Sequence, residues 1–219
     1  MKKLSLVLAV LVAALALLTA CDGSGEGEAT TAAGVSASGV SQTDGTTSGE
    51  TGVAPGMQTA PSPKLNENDD GTLTVSVPMD YLHLNGKTAE QYAADNNYIS
   101  VKENSADMLY ELTMTSERHE KCLSDIVAQF DKYTSEVLEG EGTAYVTSVE
   151  HSDDFGTVDI LLDRETYNSE NTTLMSVSFA GLGCAYKAFA GMELKTTVTV
   201  MYSDNNEVVS SYTLPVVVA

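Results

Sequence analysis

MLYELTMTSERHEKCLSDIVAQFDKYTSEVLEG, residues Met108 to Gly140, changes its period part way along. From Met108 to Met114 the side chains alternate, placing Met108, Tyr110, Leu112 and Met114 on one face, as in a half-buried strand. Thr115 or Ser116 then supplies a helix cap, and Leu123, Ile126, Val127, Phe130, Tyr133 and Val137 recur at helical spacing until Gly140 ends the run. A strand passing directly into an amphipathic helix is the unit from which the rest of the chain is read.

Upstream, Thr72 to Val77 alternates Leu73, Val75 and Val77 against hydroxyl residues, and Thr88 with Gln91 has capping-box spacing ahead of a short helix. Tyr98 to Glu103 reads as the hairpin partner of Met108 to Met114, joined through Asn104, Ser105, Ala106 and Asp107. Downstream, Ala144 to His151 and Thr157 to Asp163 form a second hairpin, with Val158, Ile160 and Leu162 on one face. Leu174 to Ala190 is apolar nearly all round and rich in small residues, which predicts a buried helix stopped by Gly191. Leu194 to Tyr202 and Val208 to Val218 make a third hairpin, with Pro215 marking the last strand as an edge or as broken. Hairpins alternating with helices imply an α+β fold, an antiparallel sheet with helices packed on one face in a two-layer sandwich.

The first residues, MKKLSLVLAVLVAALALLTAC, have the plan of an export signal: Lys2 and Lys3, an apolar run from Leu4 to Leu18, then small residues. Leu18, Thr19, Ala20 and Cys21 resemble the bacterial lipobox, which implies cleavage between Ala20 and Cys21 and lipid on the Cys21 thiol. The apolar run is short for a spanning helix, which needs roughly 20 residues. From Asp22 to about Lys64 the chain is Gly, Ser, Thr, Ala and Glu with no aromatic residue, Leu or Ile, a composition that cannot bury enough surface to fold. As a coil of about 43 residues it has a reach of roughly 35 Å. The expected organisation is a signal peptide over 1–20, a lipidated N-terminus and acidic linker over 21–67, and one α+β domain over 68–219. Loss of residues 1–20 removes two of the 11 basic and none of the 31 acidic residues, taking the net charge from −20 to −22. Such a chain is repelled by phosphate backbones and anionic head groups, so nucleic acid is excluded as a partner and the domain stands off the membrane on its anchor.

The domain, from roughly Thr72 to Tyr202, resembles uncharacterised surface lipoproteins of Gram-positive bacteria. The resemblance is carried by the strand-to-helix passage MLYELTMTSERHEKCL and by the small-residue helix LMSVSFAGLGCAYKAFAG with its final hairpin. It implies a surface location, facing outward from the cell membrane, and brings no catalytic residues with it.

Candidate chemistry is sparse. Cys122 and Cys184 both fall on expected helices, where geometry decides between a disulfide, permitted outside the cytoplasm, and buried thiols. Asn66, Asn68, Asp70 and Gly71 alternate oxygen ligands like a calcium loop, but the twelfth position is Val77 where a glutamate is needed, so the segment reads as a polar lead into the domain. Asp154, Phe155 and Gly156 spell the magnesium-binding tripeptide of protein kinases without the accompanying motifs. They read as a hairpin turn, with Gly156 supplying its unusual backbone angles. His119 and Cys122 lie three apart on the amphipathic helix, too few for zinc; helical spacing puts His119 on the exposed side of the first turn and Cys122 at the core edge. No nucleophile elbow, metalloprotease helix, P-loop or dinucleotide fingerprint is present, so neither a metal nor a cofactor is expected. Ten tyrosines offer apolar area with a hydroxyl handle, most of them in strands and core, and the absence of tryptophan weighs against a sugar platform. The expected function is a lipid-anchored, noncatalytic module that binds an envelope protein, peptide or wall ligand. The alternatives are an extracytoplasmic hydrolase with an unrecognised site, or an accessory lipoprotein of a transport or secretion system.

Overall fold

Eight strands and three helices follow one another in a computed structural model that describes residues 62–215. The expected signal peptide and its cleavage site at Ala20 and Cys21, and the expected linker up to residue 61, lie outside the described residues, as do the last residues of the run expected to end at Val218. In chain order the elements are β1 (Lys64–Glu67), β2 (Leu73–Pro78), α1 (Ala89–Asp95), β3 (Ser100–Asn104), β4 (Leu109–Met114), α2 (Ser116–Glu139), β5 (Val146–His151), β6 (Thr157–Leu162), α3 (Thr172–Phe189), β7 (Thr196–Tyr202) and β8 (Val208–Leu214). The class is the α+β sandwich expected from the sequence, built from antiparallel-dominated sheets and helices.

The strands divide into two sheets of four, ordered β1-β2-β4-β3 and β5-β6-β7-β8. Two pairings depart from a simple chain of hairpins. β2 lies beside β4 rather than β3, with Val75 opposite Leu112, and β6 runs parallel to β7, with Ile160 opposite Val200. The parallel pair requires a crossover, and α3 provides it. As expected, β8 is an edge strand.

Local chemistry fixes the helix starts. Thr88 and Gln91 form the reciprocal capping box, the Thr88 hydroxyl accepting from the Gln91 amide at 3.3 Å and the Gln91 side chain accepting from the Thr88 amide at 3.0 Å. Thr115 caps α2 by accepting from the Arg118 amide at 3.2 Å. At the other end of α2 the Thr143 hydroxyl donates to the Val137 carbonyl at 2.6 Å, satisfying a terminal acceptor where Gly140 turns the chain.

Helices α2 and α3 run antiparallel, since His119 meets Phe189 and Phe130 meets Phe179. Together they bridge both cores. Cys122 and Ile126 of α2 join Cys184, Ala188 and Phe189 of α3 against the first sheet, where Val75, Val77, Leu112 and Met114 are fully buried. Phe130 and Val137 join Met175, Phe179 and Leu182 against Val158, Ile160, Val198 and Val200 of the second. α3 is thus buried on nearly every side. Its serines cost little there, because Ser176 and Ser178 donate to the carbonyls of Thr172 and Leu174. Among the described residues, no helix is long and apolar enough to cross a membrane.

Three expectations are corrected. The folded region starts at β1, four residues that the linker was expected to contain, held to β2 by a hairpin with Lys64 opposite Ser76. Met108 does not share the buried face of β4: its backbone is left-handed (φ 56°), the alternation restarts after it, and its side chain is 56% exposed. His119 is buried rather than exposed, its Nε2 sitting 2.8 Å from the Phe189 carbonyl where α2 crosses α3.

Candidate functional site

The two ends of α3 carry the polar chemistry of the domain. At its C-terminal end lies the β5–β6 turn. The Asp154 carboxylate accepts from the Ser152 hydroxyl at 2.7 Å, the Gly156 amide at 2.9 Å and the Lys187 ammonium at 3.2 Å. These donors, Ser152 foremost, hold the Asp154 carboxyl at about 2, below its ordinary 3.8. Lys187 is buried on α3, so its charge is matched by a carboxylate at the protein surface. Phe155, not Gly156, takes the left-handed backbone (φ 55°). Its ring is buried, stacked on His151 at 4.1 Å between centroids and set edgewise on Phe130 at 5.1 Å, and that burial outweighs the backbone penalty. The Thr196 hydroxyl donates to the Phe155 carbonyl at 2.9 Å, and Gly183 lets α3 approach so closely that an added Cβ would stand 2.6 Å from Thr196 Cγ2. The kinase-like tripeptide is a structural clamp.

The other sequence candidates are also structural. Asn68, Asp70 and Gly71 form the β1–β2 turn, with the Asp70 carboxylate accepting from the Thr72 amide and hydroxyl and the Asn68 amide group donating to Thr72 and Thr74. These oxygens and donors are spent on one another. Cys122 and Cys184 share a core cluster without a bridge between them. Their thiols face different partners, Cys122 the Tyr98 hydroxyl at 3.7 Å and Cys184 the Leu214 carbonyl at 3.6 Å. Burial pushes the Cys184 thiol up, away from the thiolate form a nucleophile needs. Among the described residues, no group of three or more His, Cys, Asp or Glu side chains is placed to hold a metal.

At the N-terminal end of α3 the composition is different. Three tyrosines from three segments meet there: Tyr145 before β5, Tyr167 in the connection from β6 to α3, and Tyr202 closing β7. Tyr167 sets its ring edgewise to both neighbours, at 5.6 Å from Tyr145 and 5.9 Å from Tyr202. Arg164 lies over Tyr202 with its guanidinium carbon 3.8 Å from the ring centroid. Its nitrogens donate to Asp204 at 3.2 Å, Asn205 at 3.2 Å and Glu207 at 2.7 Å, all on the β7–β8 turn. The pairing raises the Arg164 pKa and lowers that of Glu207. Tyr145 is 4% exposed and its hydroxyl closes no hydrogen bond, although Thr172 lies beside it. Burial pushes its phenol up. Asn171, at the N-cap of α3, makes no side-chain capping bond.

This cluster sits where the parallel strands β6 and β7 end, the side of an open sheet on which α/β folds place ligands. Sequence reasoning treated these tyrosines as strand and core residues. The signal that would have marked them is their position at strand ends, which becomes a cluster only once β6 and β7 are known to be parallel. No known protein family, curated protein or solved structure matches the chain.

Proposed function

We propose that this protein is a lipid-anchored, extracytoplasmic binding module, held by lipid on Cys21, spaced from the membrane by the acidic linker, and noncatalytic. The observation that carries the reading is the polarity of α3. β1, which continues from the linker, lies against the C-terminal end of this helix, where an added Cβ on Gly191 would stand 2.6 Å from Leu65. The tyrosine cluster lies at the N-terminal end. Eighteen residues of helix separate the two, a distance of about 27 Å. A domain tethered at one end and presenting an aromatic, charged surface at the other is arranged for display to an envelope protein, peptide or wall ligand. The lipobox and the composition of residues 21–67 supply the anchor and the spacer.

The reading is tested by the intact mass of membrane-extracted protein. Loss of residues 1–20 and acyl mass on Cys21 are expected, with Cys21→Ser releasing the protein from the membrane. An unmodified Cys21 overturns the proposal. Proteolysis of intact cells checks orientation, because an outward-facing domain is cut at the linker without lysis.

A further inference from the structure

We infer that the surface formed by Tyr167, Tyr202, Asp204 and Glu207 is a docking site for a basic polypeptide segment, and that Arg164 is its internal competitor. The inference rests on the display reading, and it names the class of partner that the displayed end recognises.

Arg164 shows the geometry in which a guanidinium is received: over the Tyr202 ring, 3.8 Å from its centroid, with carboxylates from Asp204 and Glu207 accepting from its nitrogens. A tyrosine face attracts a cation through its quadrupole, and the carboxylates add charge-assisted hydrogen bonds. The seat is open to solvent, with the side chains of Arg164, Asp204 and Glu207 being 41%, 56% and 59% exposed. One cation against two carboxylates leaves the surface negative, and Tyr167 offers a second, partly exposed ring beside it. Tyr145 stands behind Tyr167, its buried ring backing the exposed cluster. The chain as a whole carries a net charge of −20, so its long-range field draws a basic partner and repels an acidic one. An exposed ion pair contributes little to the fold. Exchanging Arg164 for a partner's lysine or arginine therefore costs little stability.

The test uses the full chain and a short fluorescent peptide of alternating arginine and glycine, with binding followed by anisotropy at about 0.15 M salt. Arg164→Ala bares the Tyr202 ring and frees both carboxylates, so it tightens binding about fivefold, a direction that damage to the fold would not produce. Tyr167→Leu with Tyr202→Leu weakens binding about tenfold. Glu67→Gln with Asp69→Asn, at the tether end, removes as many charges as Asp204 and Glu207 carry and leaves binding within about twofold. Equal losses from the tyrosine pair and the remote acidic pair mean diffuse attraction and overturn the inference. So does an unchanged or weakened Arg164→Ala, or binding of a neutral chito-oligosaccharide in place of the peptide. An acylated Cys21 without site-dependent peptide binding overturns the docking site alone, whereas site-dependent binding with an unmodified Cys21 overturns only the display reading.

Discussion

At its C-terminal end α3 is braced: Lys187 reaches Asp154, the Phe189 carbonyl meets His119, Gly183 admits Thr196, and Phe155 is closed in by His151, Phe130 and Tyr186. At its N-terminal end the same helix starts at an Asn171 without a side-chain capping bond, beside a buried tyrosine hydroxyl that closes no hydrogen bond although Thr172 lies next to it, two partly buried rings and an ion cluster in solvent. The first end is packed and hydrogen-bonded in the manner of a core. The second is held by longer hydrogen bonds, Asn171 to the Gly142 carbonyl at 3.3 Å and Thr172 to the Tyr167 hydroxyl at 3.4 Å, and by an ion cluster open to solvent. Under the proposed docking site, stability and recognition lie at opposite ends of one helix, and substitutions at the two ends test that division.

The largest difference is expected between Phe155→Ala and Tyr167→Ala. Phe155 is 2% exposed and touches three other rings, so its truncation leaves a cavity in the second core and costs about 3–5 kcal/mol in urea unfolding. Tyr167, only partly buried at the rim of that core, costs about 1 kcal/mol. Equal losses would mean that the two ends of α3 are packed alike. Gly183→Ala probes the packing at the braced end. Alanine gains about 1 kcal/mol of helix propensity, but its methyl would collide with Thr196 and with the Phe155 carbonyl 3.0 Å away, so a net loss of about 1–2 kcal/mol is expected. Gly181→Ala, with nothing within 4 Å, should be neutral or stabilising.

The elements that meet at both ends of α3 were legible in the sequence, and the contacts between those elements were not. The Thr88–Gln91 capping box, the Thr115 cap, the buried run Val158, Ile160, Leu162 and the all-round apolar α3 follow from local spacing, and local spacing is what a sequence displays directly. Pairing is not local. Nothing in Thr157 to Asp163 or Leu194 to Tyr202 says that these strands lie side by side in parallel, and without that fact Tyr145, Tyr167 and Tyr202 remain three scattered residues. β1 was illegible for another reason: all four residues of KLNE are exposed, and the strand is held to β2 through its backbone, so it carries no hydrophobic pattern. The left-handed residue of the β5–β6 turn was assigned to Gly156 on propensity, and the burial of the Phe155 ring overrides that preference.

A smaller effect concerns the ion pair at the braced end. Lys187 is buried and Asp154 is largely in solvent, so the two partners are not equivalent. Asp154→Asn keeps the hydrogen bonds from Ser152 and Gly156 but leaves a buried ammonium without its counter-charge, at a cost of about 1 kcal/mol. Lys187→Met removes the buried charge and keeps the packing, and should change stability by less than about 0.5 kcal/mol. Titration supplies an independent check. The folded carboxyl sits at about 2 against an ordinary 3.8, so folding favours the ionised form. Its contribution is complete above about pH 4 and is lost as the pH falls towards 2. The stability gap between the parent chain and Asp154→Asn should therefore narrow across that window, and a gap that stays constant assigns the effect to packing.

The smallest expected effect belongs to the other end and has the opposite sign. Tyr145 buries its hydroxyl at the start of α3 without closing a hydrogen bond, and an unsatisfied buried polar group costs more than an apolar one of the same shape. Tyr145→Phe keeps the edgewise contact with Tyr167 and removes that cost, so it should stabilise the domain by about 0.5–1 kcal/mol in urea unfolding. A loss of similar size would mean that Thr172 completes a bond in solution and that this end is satisfied as fully as the braced one. With the gain, the hydroxyl is a stability cost carried at the end of the helix where the cation seat lies. Tyr145→Phe should then leave peptide binding at Tyr167 and Tyr202 within about twofold, because the buried ring supports those faces without touching the partner.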